Sequence, residues 1–175
     1  NLDVARDSLV PTNAWPLRIG SDQAGRSRFP GEIGRVSFMW RNLADGDIAA
    51  LVGSAHDAPV PPGINPSIAT RGASEGVKGA DGLAAAKSMS VEAWVKINPA
   101  QNGGGRIADK VTPGGGDGFL FDTHPKLGLR LIIGRRILSK PLILPVDRWT
   151  HVAATAESID GRWRLFVNGA EVASD

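Results

Sequence analysis

Residues 149–172 read WTHVAATAESIDGRWRLFVNGAEV, an alternating run interrupted twice, at Asp160-Gly161 and at Asn168-Gly169. Val152 and Ala154 share one face, and His151, Ala153 and Thr155 the other. Asp-Gly and Asn-Gly accept the positive φ that tight hairpin turns demand, so alternation punctuated in this way predicts consecutive antiparallel strands. A period of two cannot lay one apolar face along a helix, and the turns leave no room for a crossover.

The same period recurs along the chain. Met89–Ile97 places Val91, Ala93, Val95 and Ile97 on one face and Glu92, Trp94 and Lys96 on the other. In residues 31–40, Val36, Phe38 and Trp40 oppose Arg35, Ser37 and Met39, and the alternation slips at Gly34, which predicts a bulge. Short strands are expected at 17–20, 67–70, 106–110, 118–122, 128–133 and 136–139. Asp45–Leu51 breaks the pattern: acids at its start and Ile48 and Leu51 on one side predict a helix of one or two turns. Twenty-two glycines and twelve prolines in 175 residues suit many tight turns, and the length suits one domain with a substantial core. The expectation is an all-β fold, a two-sheet antiparallel jelly-roll sandwich of about a dozen strands with one short helix.

The Trp149-x-His151-Val-Ala run with its Val167-Asn-Gly turn resembles the hallmark of laminin-G-like jelly-rolls of the concanavalin A-like lectin/glucanase superfamily. Met89–Ile97 is similar to that family's opening strand. Leu17–Gly20, Gly31–Val36 and the Asp45–Leu51 helix are similar to its closing part. The resemblance therefore implies a permuted order within a single domain at 1–175. Residues 1–55 carry the closing part, 56–82 a Pro- and Gly-rich connection, and 83–175 the opening and middle parts. Permutation would bring Asp175 near Asn1. The alternative is a fragment holding the tail of one repeat and the head of the next.

Chemistry-bearing patterns are sparse. Glycosidic cleavage needs two carboxyl groups flanking one bond, and no strand here carries Glu-x-Asp or Glu-x-Glu. His56, His124 and His151 lack metal-ligand spacing partners, no serine sits in a Gly-x-Ser-x-Gly elbow, and cysteine is absent. The Gly103–Gly105 and Gly114–Gly116 clusters lack the Gly-Lys-Ser/Thr ending of a phosphate loop. No catalytic or metal residue is expected. Calcium is disfavoured because Gly34 stands where the family resemblance would put an acid, although Asp117 and Asp122, with carbonyls of the Gly-rich loop, form a candidate pair.

Binding residues are expected instead. If their strands share a sheet, Trp94 and His151 line its trough, where sugar rings stack in lectins of the resembled fold; the alternative is that loops cover this face and Trp94 belongs to a second small core. Arg supplies most of the basic residues, and Arg130, Arg135 and Arg136, with Lys126 and Lys140, cluster on one expected hairpin, with Arg164 reaching the face of Trp94. The planar Arg fork suits carboxylated or sulfated sugars. The resemblance and these residues imply a non-catalytic carbohydrate-binding or adhesion module for a polysaccharide or glycan. It would belong to a larger extracellular or cell-surface protein, perched beside a catalytic domain of the same parent if it is accessory. A structural or protein-interaction domain is the alternative. Eighteen acids dilute the basic charge, and no recognition motif argues for nucleic acid. No apolar run is long enough for membrane insertion, and a chain starting at Asn1 is expected to be a processed or excised piece.

Overall fold

The computed structural model describes residues 8–11, 13–54, 64, 68–71, 86–100 and 103–175. Eleven strands and one helix are described. They are β1 (Arg18–Ile19), β2 (Gly31–Met39), α1 (Asp45–Gly53), β3 (Ile68–Arg71), β4 (Met89–Ile97), β5 (Arg106–Lys110), β6 (Phe119–Asp122), β7 (Leu129–Ile133), β8 (Arg136–Lys140), β9 (Thr150–Ala156), β10 (Trp163–Val167) and β11 (Ala170–Ser174). They form a five-stranded sheet, β1-β5-β6-β7-β8, and a six-stranded sheet, β11-β10-β9-β4-β2-β3. Every described strand pairing within the sheets is antiparallel.

Residues from both ends of the chain build both sheets. In one, β1 pairs β5; in the other, β2 lies between β3 and β4. The slip at Gly34 is a register shift between Ile33 and Val36, and Asn168 and Gly169 take positive φ in the β10–β11 turn. The expected connection at 56–82 falls largely outside the described residues, as does the expected proximity of Asn1 to Asp175.

The main core lies between the sheets. Val91, Ala93, Val95, Val152, Ala154 and Leu165 on one side meet Ile107, Phe119, Phe121, Leu129, Leu131 and Ile133 on the other. The rings of Phe38 and Phe119 join the layers edge to face, 5.7 Å between centroids. Each large apolar side chain removed from water here contributes about 1.5–3 kcal/mol. With this face committed to the core, alternation sends the intervening residues to the outer faces. Those two outer faces meet different fates.

Candidate functional site

On the outer face of the six-stranded sheet, β4 and β9 pair and bring Trp94 and His151 opposite each other in register. Their rings meet edge to face at 5.5 Å. His151 is fully buried, because α1 lies over this face and builds a second core from Met39, Leu43, Ile48, Leu51, Ile64, Ala153 and Phe166. The expected open trough is thus covered over His151, whereas Trp94 is half-buried and is not among the residues of that second core. Ile48 and Leu51, paired by helical spacing, are the anchors of the cover.

Charge beneath the helix is paired. Glu92, also fully buried, accepts from Arg35 Nε at 2.9 Å, and Arg35 Nη2 donates to the Leu51 carbonyl at 3.3 Å, near the helix end. His151 Nε2 approaches Glu92 Oε2 at 3.2 Å, off-axis for a hydrogen bond. Burial pushes the Glu92 carboxyl up, but His151 and Arg35 together outweigh it and hold the group below the usual carboxylate value. Arg164 shares this face and is spent on the start of the helix. It donates to Asp45 Oδ1 at 2.6 Å and to the Leu43 carbonyl at 3.0 Å, and it lies over the Phe166 ring.

The outer face of the five-stranded sheet carries a pocket instead. About 370 Å³ is enclosed between the 22–24 loop and the Gly-rich 113–115 loop, above Leu120 and Ile132, with Arg106, Asp109 and Arg130 in its walls. A bulge between Arg106 and Ala108 turns Arg106 and Asp109 to the same side, where Arg106 Nε lies 3.3 Å from Asp109 Oδ2. Asp122 is clamped by the Arg106 and Arg130 guanidiniums, the latter at 2.7 Å. Gln23 Nε2 reaches Asp109 Oδ1 at 3.0 Å, and the Val111 amide donates to the same oxygen at 3.2 Å. Burial dominates at Asp109 and raises its carboxyl above the usual value, against the lowering by Gln23, Val111 and Arg106.

The arginines expected to converge are divided among three places. Arg130 lines the pocket wall. Arg135 is exposed and rests against Gly116, beside the pocket-lining Gly115 and Gly134. Arg136 turns away: its guanidinium sits 4.5 Å from the Trp163 ring centroid, donates to the Gly161 carbonyl and pairs with Asp175. Asp117 accepts from the Thr112 amide and hydroxyl and from Asn13. Both acids of the candidate calcium pair therefore have protein donors in place, and among the described residues no cluster of three metal-ligating side chains occurs.

The family model Laminin_G_3, described as concanavalin A-like lectin/glucanases superfamily, matches residues 71–175, more than half of the chain. The chain belongs to this laminin-G-like family. No curated protein and no solved structure matches it. The family match begins at the last residue of β3, so β1, β2 and α1 lie outside the matched segment while completing both sheets of the laminin-G-like sandwich. Membership fits a carbohydrate-binding or adhesion module, and domains of this kind are generally non-catalytic. The pocket offers hydrogen-bonding groups over an apolar floor, a combination suited to holding a polar ligand. Two carboxylates line the pocket: Asp22, whose oxygens accept from the Ala24 and Arg26 amides and the Ser27 hydroxyl, and Asp109, whose side chain is 4% exposed. Among the described residues, no helix is long and apolar enough to cross a membrane.

Sequence reasoning missed Gln23, Arg106 and Asp109 as site residues. Strict alternation would place Arg106 and Asp109 on opposite faces, and the bulge that unites them has no glycine to mark it.

Proposed function

We propose that this laminin-G-like chain is a non-catalytic glycan-binding module, in permuted order within one domain, of a larger secreted or cell-surface protein. Its binding surface is the outer face of the five-stranded sheet. The observation that carries this reading is the pocket between the 22–24 and 113–115 loops, whose Arg106 and Arg130 stand over Leu120 and Ile132 while the opposite sheet face is covered by α1.

Acidic polysaccharides are the preferred class, through Arg135. Asp122 offsets Arg106 and Arg130, whereas Arg135 has no ion pair among the described residues and lies beside the pocket rim. One exposed guanidinium contributes about 0–1 kcal/mol, so the preference is mild and fades with salt. The test is a glycan array of neutral and acidic polysaccharides at low and physiological salt, with and without EDTA. Expected are acidic hits that weaken with salt, ignore EDTA, and lose their salt dependence in Arg135→Ala. Binding to neutral glycans that ignores salt would remove the charge preference, and an empty array would remove the glycan reading.

A second reading, a structural or protein-interaction domain beside a catalytic domain of the same parent, draws on Ile137 and Leu142, both exposed on or just beyond β8. Retention of a purified catalytic domain of the same parent, abolished by Ile137→Asp, is its expected signature.

A further inference from the structure

Trp15 stands apart from the other four tryptophans. It is 41% exposed, while Trp40, Trp94 and Trp149 are half-buried and Trp163 is fully buried. Exposed indole in solvent forgoes a large apolar contribution, so its setting matters. Here the backbone around it is fixed. The Trp15 amide donates to Asn13 Oδ1 at 3.0 Å, its carbonyl accepts from Lys110 Nζ, and the next carbonyl, of Pro16, accepts from Gln23 Nε2 at 3.0 Å. Gln23 is a wall of the pocket and bonds Asp109, another wall. The exposed indole is therefore mounted on the same hydrogen-bonded frame that shapes the pocket.

We propose that Trp15 is the stacking platform of a glycan subsite adjoining the pocket. A pyranose ring would lay its C–H face on the indole, and the next sugar along would place hydroxyls against the Gln23, Arg106 and Arg130 side. Aromatic rings suit this task because they offer a large rigid apolar area at little entropic cost, and the pinned backbone lowers that cost further. The ligand class is an extended oligosaccharide of at least two pyranose units. This inference rests on the glycan-binding reading and adds the residue that decides affinity.

The experiment uses the whole chain and a panel of soluble xylan, mannan, mixed-linkage β-glucan, alginate and pectate. Affinity electrophoresis reads binding, and acrylamide quenching of tryptophan fluorescence reads access to the exposed indole. On binding, quenching should fall. Trp15→Ala should weaken retention by at least roughly tenfold and Trp15→Phe by less, as for an aromatic hot spot. Retention is compared well below each variant's unfolding transition, because the Trp15 side chain, 41% exposed, is still partly buried. Ile159→Ala, at an exposed position of the β9–β10 turn outside the pocket lining, should leave binding unchanged. Retention by Trp15→Ala equal to wild type, with quenching undiminished on binding, overturns the platform and leaves the glycan reading standing. An equal loss in Ile159→Ala overturns it too, because the effect would then not be specific to the place of Trp15. If no polysaccharide retards the wild-type chain, both the platform and the reading beneath it fail.

Discussion

The two outer faces of this sandwich are built from the same alternation and carry similar residue types, yet one is a closed layer and the other an open pocket. On the six-stranded sheet, Glu92, Arg35 and His151 are covered by α1 and its apolar anchors. On the five-stranded sheet, Asp109, Asp122, Arg106 and Arg130 are flanked by two loops that leave space between them. The difference teaches that burial of an ion pair does not by itself mark a ligand site: the more deeply buried set holds a helix in place. What distinguishes the second face is uncovered space beside part-exposed guanidiniums.

The largest expected effect is on the covered face. Arg35→Met leaves Glu92 buried without its closest cation and removes the bond to the Leu51 carbonyl. Loss of one partner from a buried pair costs about 3–5 kcal/mol, which lowers Tm by roughly 6 °C or more for a chain of this size. Thermal unfolding by circular dichroism measures it. A Tm within a degree or two of wild type would mean that α1 is held by its apolar contacts alone. Leu51→Ala addresses those contacts directly, and its expected cost is about 2–5 kcal/mol. Neither variant should change glycan retention by the opposite face, provided the measurement is made well below the unfolding transition.

How much of this was readable beforehand follows from where each residue's position is decided. Strand positions were legible because Met89–Ile97 and Thr150–Ala156 alternate without interruption, and burial of one face fixes their register. The sequence put Trp94 and His151 on one face if their strands share a sheet, and the strands do pair. Whether that face met water was not legible, since the cover is α1, some forty residues earlier in sequence than Trp94. Ile48 and Leu51 announce an amphipathic helix but not the sheet it packs on. Arg136 and Arg164 looked alike as surface cations in the sequence. Tertiary contacts assign one to Trp163 and Asp175 and the other to Asp45. The pocket was hidden for another reason, the unmarked bulge in β5 that reverses the parity of Arg106.

A smaller effect sharpens the contrast on the open side. Ile137→Ser, at an exposed position of an edge strand, should change stability by no more than about 0.5 kcal/mol, because its side chain remains largely in water. Chemical denaturation resolves this against Leu51→Ala. A cost above 2 kcal/mol would show that the outer face of β8 is covered after all.

The subtlest prediction sets the two carboxylates against each other by pH. Glu92 is held low, so the stability it contributes is present above the unfolded carboxyl value, near 4.5, and is lost as pH falls through its lower folded value. Asp109 is held high by burial, so the sign reverses. The fold is favoured most below the unfolded value near 3.8, and that advantage is lost as pH rises through the raised folded value. Asp109→Asn removes this titration while its amide oxygen can still accept from Gln23 and Val111. Near neutrality the net change should be within about 1 kcal/mol, since a hydrogen-bonded frame is kept while the contact with Arg106 is lost. The informative quantity is the slope: stability of Asp109→Asn relative to wild type should rise as pH climbs from below 3.8 through the mildly acidic range. Denaturant unfolding of both proteins across that range measures it. Parallel curves would mean that Asp109 is no more desolvated than an ordinary surface acid, and the open face would then be more open than its 4% side-chain exposure implies.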